Sequence, residues 1–413
     1  MMKRLILCLL FLGILLPAGA RRYPFTRPDK SHIQYPAGSS PDYQLFLRKL
    51  DSLLATGSTD VKVLHMGGSH VQGGTFTDRL RKHFLSLRYG IDGGRGLVFP
   101  FSAAGTNTPS SYVTSWQGSW DSGTCLKPRD LELGVSGMAV KARDTSARAV
   151  IDLVPKEPQL LQQHYSFNKV DVLGEGGLEP VLILNGRDTV RGVIGKELCH
   201  FDLPYYTDWL QLTFKGEGTY TLRGLYLDRP NAGFTMSEAG VNGASTHSWR
   251  RCRRLAEDLR RVQPDLVVFS IGINDIQGAD FDENYFEANY RALIHEIRKV
   301  NPRCAFLFTG INDNWRRGRG VNEHTARAEK AFRDLAAEYK AVFWDWYEVM
   351  GGYGSMAQWE TAGLAQSDKV HFTPQGYREV ADMLFDAILE DYYISPYSKT
   401  TVFQIVETHF EVF

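Results

Sequence analysis

Two hydrophobic periodicities divide the chain. Residues 61–66 are almost continuously apolar, the pattern of a short strand buried on both faces. Phe76, Leu80, Phe84 and Leu87 then recur at helical spacing, so a helix follows that strand. The same rhythm returns much later. Residues 234–239 read as a strand, followed by a helix through Leu255, Leu259 and Val262 that Pro264 stops. Residues 266–271 form the next apolar run, and Phe286, Tyr290, Leu293, Ile297 and Val300 mark another helix. Strands at 305–309 and 342–344 flank a helix through Phe332, Leu335 and Tyr339. A last helix carries Tyr377, Val380, Leu384, Phe385 and Ile388, opened by Thr373-Pro374 as cap and first turn. Five strands alternating with helices predict an α/β fold, a three-layer α/β/α sandwich around a five-stranded parallel sheet.

Between these stretches the period changes. From about Gly90 to Pro230 the text is rich in Gly, Ser and Thr, and residues 131–140, 147–154, 169–173, 181–185 and 209–214 read as strands. Gly174-Glu175-Gly176-Gly177 and Asn185-Gly186 supply turns, and no amphipathic helix pattern intervenes. This predicts an all-β module, a sandwich, inserted after the first strand–helix unit. The expected organisation is an α/β domain made of residues 21–95 and 231–393, the insert at 96–230, and a tail at 394–413.

The start of the chain bears on where it works. Lys3 and Arg4 precede an apolar run ending at Leu16, then Pro17-Ala18-Gly19-Ala20, which reads as a secretory signal removed after Ala20. The run is too short to span a bilayer. Leu5 and Cys8 faintly resemble a lipoprotein box but stand too early in the run. Export to the periplasm or the extracellular space is therefore expected, with no integral membrane segment after cleavage. Basic and acidic residues balance at 47 each, so no overall field draws the protein to nucleic acid. The cysteines remaining after cleavage, Cys125, Cys199, Cys252 and Cys304, show no Cys-x-x-Cys pairing. A zinc site is not implied, and a disulfide among them is left open.

The chemistry is concentrated at strand ends. Ser69 follows the first strand in Gly67-Gly68-Ser69-His70, where α/β folds place their ligands. Asp368-Lys369-Val370-His371 precedes the last helix and can supply the other two members of a Ser-His-Asp relay. No Gly-x-Ser-x-Gly elbow surrounds Ser69, which disfavours the α/β-hydrolase superfamily. Gly240-Val241-Asn242-Gly243 and Gly272-Ile273-Asn274-Asp275 end two further strands.

In these four ordered motifs the sequence resembles the SGNH (GDSL-type) esterase family, whose fold is flavodoxin-like. Gly-x-Ser-His followed by Thr77-Asp78-Arg79-Leu80-Arg81 and Gly93-Gly94-Arg95-Gly96 is similar to the peptidoglycan O-acetylesterases, which carry a carbohydrate-binding-type β module between the Ser and Gly motifs. The resemblance implies Ser69 as nucleophile, His371 as base and Asp368 as its partner. It implies an oxyanion hole from the Ser69 and Gly243 N–H groups and the Asn274 amide, and no cofactor or metal. One departure stands out: the family usually has Asp where this chain has Gly68.

Other residues have plainer readings. Gly310-Ile311-Asn312-Asp313 repeats the Asn motif and reads as a structural loop beside the cleft. His70 and Trp315 are the candidates for substrate contact, His70 being equally a buried structural histidine. Trp116, Trp120, Trp315 and Trp359 fall in predicted loops, where flat rings can stack on sugars. The run Arg250-Arg251-Cys252-Arg253-Arg254 reads as a solvated helix face rather than a polymer-binding patch. His295-Glu296 begins like a metalloprotease helix, but Lys299 stands where the second His belongs.

The expected function is an exported serine esterase that removes O-acetyl groups from a cell-envelope polysaccharide, peptidoglycan leading. Rival readings are an acetylesterase acting on another polysaccharide such as xylan, a polysaccharide O-acetyltransferase, and a non-catalytic glycan-binding protein on an esterase scaffold.

Overall fold

A computed structural model of the chain describes residues 23–154, 165–316 and 318–395. The segment read as an export signal, and all but the first two residues of the tail, lie outside the described residues. Five strands, β1 (Val61–Gly67), β2 (Phe234–Gly240), β3 (Leu266–Ser270), β4 (Ala305–Phe308) and β5 (Val342–Phe343), form one parallel sheet in the order β2-β1-β3-β4-β5. The chain thus starts in the interior of the sheet, crosses to β2 at the edge, and returns past β1 to β3. Open α/β sheets bind ligands beyond the carboxyl ends of their strands at such a reversal.

Alternation along the strands explains the three layers. Val61, Val63, Leu266, Val268, Ala305 and Leu307 face one core with the apolar stripes of α1 (Pro41–Thr56), α2 (Thr75–Ser86) and α6 (Pro374–Ile394). Leu64, Met66, Val267, Phe269, Phe306 and Phe308 face the other, against α3 (Leu255–Val262), α4 (Glu283–Val300) and α5 (Thr325–Glu338). Because both faces are covered, β3 and β4 read as nearly continuous apolar text, whereas β1 and β2 carry polar side chains that are bonded inside. The Thr373 hydroxyl caps α6 by accepting the Gly376 N–H, with Pro374 opening the helix. α1 is a helix that the strand–helix reading above omits. Its stripe of Tyr43, Phe46, Leu47, Leu50, Leu53 and Leu54 is buried against the sheet.

Residues between β1 and β2 build two antiparallel sheets, one of seven strands and one of five. The long strands Phe167–Gly176, Leu198–Thr207 and Tyr220–Asp228 pair in the larger sheet, and Trp209–Lys215 is central in the smaller. Several strand expectations need correction. Residues 131–137 are not strand: only Met138–Ala142 pairs, because the preceding turn is tied to α3 through the Val135 N–H on Asp258 Oδ2, 3.1 Å. Trp116 and Trp120 lie in the edge strands Val113–Gln117 and Trp120–Thr124, whose polar text hides them. The strand Tyr220–Asp228 is interrupted in sequence by Arg223 and Gly224, and its register shifts there.

These sheets are fixed to α3 by buried charge. Arg223 is fully buried, its guanidinium on Asp258 (2.9 Å) and Glu257 (2.7 Å) of α3. Arg261 pairs with Asp171 and, at 2.5 Å, with Asp228, and lies over the Tyr226 ring. The arginine run, in the turn before α3, is exposed at Arg250, Arg251 and Arg253, in keeping with its reading as a solvated face, although it is a turn and not a helix. Arg251 donates to the Cys125 and Leu126 carbonyls, and Arg254 pairs with Glu257 and Glu175. Cys125, Cys199, Cys252 and Cys304 are buried free thiols. Asp258→Ala leaves Arg223 buried with less than its full counter-charge, so unfolding free energy should fall by about 3 kcal/mol, measured by urea denaturation.

Candidate active site

Ser69 opens a short helix, Ser69–Gln72, set across the strand ends. That close crossing is possible because β2 ends in Gly240, where an added Cβ would stand 2.2 Å from the Gln72 nitrogen. Ser69 Oγ lies 2.7 Å from His371 Nε2, and His371 Nδ1 lies 2.6 Å from Asp368 Oδ2. The three groups are a hydrogen-bonded relay, only partly covered from solvent.

The loop that brings Asp368 and His371 back to Ser69 is held at several points. Lys369 adopts φ +54°, turning the chain so that Asp368 Oδ1 accepts the N–H groups of Val370 (2.9 Å) and His371 (3.0 Å). Burial works against charge on Asp368. The bonds from the His371 backbone and ring and from Val370 outweigh it and hold the carboxyl below the ordinary carboxylate range. The Trp315 backbone N–H donates to the Lys369 carbonyl at 3.0 Å, and the Lys369 ammonium sits 4.5 Å from the Trp315 ring centre. Trp315 therefore buttresses the relay loop with a face already covered by a cation. The side chain is still partly exposed.

The three expected oxyanion donors lie on the loops that follow three different strands. Ser69 is the first residue of its helix, so its N–H has no intrahelical partner. Gly243, at φ +77°, is exposed on the loop after β2. Asn274 follows β3 and donates one amide hydrogen to the Ala244 carbonyl (2.9 Å), leaving its second for another acceptor. Gly68 lies against this amide: a Cβ there would stand 3.3 Å from Asn274 Nδ2. The departure from Asp at this position thus leaves the relay geometry whole and keeps the space beside Asn274 open. Asp275 joins the β2 and β3 loops, accepting the Thr246 hydroxyl at 2.6 Å and its N–H at 3.0 Å.

His70 is buried beneath the relay and closed to substrate, which corrects its candidacy for substrate contact. Its Nδ1 meets the Tyr377 hydroxyl at 2.7 Å, and its ring packs on Trp346, Phe372 and His371. Burial first, then the neighbouring His371, push its pKa down to about 3, so it is neutral. The second Gly-Ile-Asn-Asp does not line the cleft either. Asn312 is fully buried and donates to the Val370 carbonyl at 3.2 Å, supporting the relay loop from below. Trp359 is fully buried in the helix Ser355–Thr361, not in a loop, and bonds the Met350 carbonyl. Glu296 pairs with Lys299 along α4 at 2.6 Å.

Residues 212–379 match the model of the GDSL-like lipase/acylhydrolase family. The matched span holds Gly243, Asn274, Asp368 and His371; Ser69 precedes it, separated by the antiparallel sheets. No curated protein sequence matches the chain. A solved structure of a peptidoglycan O-acetylesterase is similar at 25% identity and a TM-score of 0.71, over 88% of this chain and 99% of that one. An acetyl xylan esterase aligns at 22% identity over 37% of this chain and 81% of its own, with a TM-score of 0.31. A family two carbohydrate esterase from Cellvibrio japonicus aligns at 11% identity over 68% and 100%, with a TM-score of 0.30.

The Asp275 bridge carries a pH signature. Burial pushes its carboxyl up to about 6, against the pull of the Thr246 hydroxyl and N–H. The folded state therefore holds this proton more tightly than the unfolded chain. The resulting stabilisation is complete below the ordinary carboxylate range and is lost as pH rises through about 6. Asp275→Asn removes the titration. Its stability relative to the wild type should rise between about pH 4 and about pH 7, read from urea midpoints at each pH.

Proposed function

We propose that this GDSL-like serine esterase is exported and removes O-acetyl groups from peptidoglycan, with Ser69, His371 and Asp368 as its relay. The observation that carries the reading is the continuous relay, with hydrogen bonds of 2.7 and 2.6 Å, in a chain similar over 88% of its length to a peptidoglycan O-acetylesterase. The amino-terminal text supports export. Among the described residues, no helix is long and apolar enough to cross a membrane.

In this reading His371 Nε2 takes the Ser69 hydroxyl proton as Oγ attacks the acetyl carbonyl. Asp368, held charged by its N–H bonds, keeps the imidazole in the tautomer that presents Nε2 and stabilises the imidazolium that forms. The tetrahedral oxyanion is met by the Ser69 and Gly243 N–H groups and the free hydrogen of the Asn274 amide. The C–O bond to the sugar then breaks and His371 returns the proton to the departing sugar oxygen, leaving acetyl-Ser69. Water, deprotonated by the same imidazole, releases acetate and regenerates the serine.

The antiparallel sheets support a glycan-holding role, because binding energy from sugars remote from the ester can be used to orient it. Acetate release from O-acetylated peptidoglycan should exceed that from acetylated xylan. Water should be the main acyl acceptor even when chitooligosaccharide is supplied. Faster xylan deacetylation, or transfer to the oligosaccharide, overturns the substrate or the reaction respectively. Ser69→Ala should abolish hydrolysis of p-nitrophenyl acetate, whereas equal rates in wild type and variant point to glycan binding alone. Asn274→Ala should lower kcat about 10²–10³-fold with little change in KM, from steady-state kinetics on the same ester.

A further inference from the structure

Gln72 ends the short helix that Ser69 begins, is buried, and joins its own turn to the segments carrying Thr106–Asn107 and Asn242. Its Oε1 accepts the Asn242 backbone N–H at 2.6 Å. Its Nε2 donates to Thr106 Oγ1 (2.9 Å), the Asn107 carbonyl (2.9 Å) and Asn107 Oδ1 (3.1 Å). The partners fix which end of the amide is which, since a backbone N–H only donates and a carbonyl only accepts. Asn107 Oδ1 also accepts the Asn242 side-chain amide at 2.5 Å, so residue 242 is held at its backbone and its side chain by the same cluster.

The position of this cluster gives it a consequence. The peptide that follows residue 242 carries the Gly243 N–H, one of the proposed oxyanion donors. Glycine at φ +77° has no side chain of its own to fix that peptide, and Gly243 is exposed. Ser69, which provides another donor, is three residues before Gln72 on one helical turn. Gln72 is therefore a direct side-chain link between the segments carrying two donors from the ends of different strands, which the Val241 N–H on the Gly67 carbonyl (3.3 Å) also joins through backbone. The loop carrying Thr106 and Asn107 is itself anchored to the same turn, through the Ser110 N–H on the Gly73 carbonyl at 3.1 Å.

We propose that Gln72 is a positioning residue of the oxyanion hole: by holding Asn242 it sets the distance and aim of the Gly243 N–H relative to the Ser69 N–H. It acts through Asn242 and Asn107 and does not touch the ester. The inference rests on the esterase reading above, and Ser69→Ala measured alongside separates the two. A fully active Ser69→Ala sinks the esterase reading, whereas an inactive one leaves Gln72 to be judged by its own variants.

The test uses the full chain and p-nitrophenyl acetate. Gln72→Met keeps the volume and removes every hydrogen bond. Its kcat should fall about 10- to 100-fold with KM within about twofold, below the loss expected for deleting a donor outright. Its rate of inactivation by a fluorophosphonate, whose phosphoryl oxygen occupies the hole, should fall in step. Gln72→Glu adds a signature that general loosening would not produce. As a carboxylate it can still accept the Asn242 N–H but cannot donate to Asn107, and a proton restores a donor. The ratio of its kcat to the wild-type value should therefore rise as pH falls. Should the buried variants fail to fold, Asn107→Ala, on an exposed side chain, should still lower kcat several-fold at unchanged KM. Wild-type kcat in Gln72→Met or in Asn107→Ala, or a kcat ratio for Gln72→Glu that is flat with pH, overturns the proposal.

Discussion

The site depends on one hydrogen bond, 2.7 Å long, between side chains 302 positions apart in sequence. Neither partner can find the other by local structure, so each must be delivered by the fold and then held. Ser69 is delivered by a strand in the interior of the parallel sheet and held by a helical turn pressed onto Gly240. His371 is delivered by a loop that has no regular structure. It needs external supports: Trp315 on the Lys369 carbonyl, Asn312 on the Val370 carbonyl, and the α6 cap just beyond. Holding groups at reacting distance before substrate arrives removes an entropic cost that a flexible loop would meet at every turnover.

The same supports shape the electrostatics. His65 and His70 are fully buried beneath the site, and burial pushes both down to about 3. His65 then serves as a neutral bridge, linking Thr77 of α2 to Ser270 at the end of β3 at 2.8 Å each. His70, its ring centre 5.5 Å from that of His371, is likewise neutral. In the proposed mechanism, a charged ring there would oppose the imidazolium that forms on His371 when Ser69 gives up its proton. Asp368 favours that same imidazolium. In that mechanism the neutral His70 places no competing charge beside His371.

What the sequence made legible follows from how each element buries its residues. β3 and β4 are covered on both sides and announce themselves as apolar runs; three of the four motifs stand at strand ends and the fourth on the loop before α6. The edge strands carrying Trp116 and Trp120 are half-exposed and polar, so period-two alternation is faint there. Tyr220–Asp228 was illegible for the opposite reason: Arg223 in its middle looks like a surface residue until Asp258 and Glu257, on a helix far along the chain, are brought to it. α1 had a clear stripe of period 3.6 and a proline at its first turn, and was available to the same reasoning. The arginine run is solvated as its charge suggested, but sequence did not reveal that Arg251 and Arg254 also reach partners across the fold. His70 stands beside Ser69 in sequence, yet packs behind the relay and not in front.

The antiparallel sheets interrupt the catalytic text between Ser69 and the motifs of residues 240–371, which accounts for a family match that begins only at residue 212. Such an insertion threatens the relay, since any play between its two ends would become play between Ser69 and the oxyanion loop. The structure answers with attachments at both ends. Gly96–Val98 joins the insert's own strand Tyr220–Asp228 while its Leu97 N–H bonds Ser237 Oγ of β2 at 3.1 Å. Arg95, just before it, is buried on Glu238 of β2 at 2.6 Å. At the far side Arg223, Arg254 and Arg261 lock the insert to α3 and the turn before it. Buried ion pairs of this kind contribute little net stability relative to apolar packing, but they tolerate few alternative arrangements. Orientation, more than stability, is what a chain with a divided active site requires, and the charges lie on the two seams where that orientation is decided.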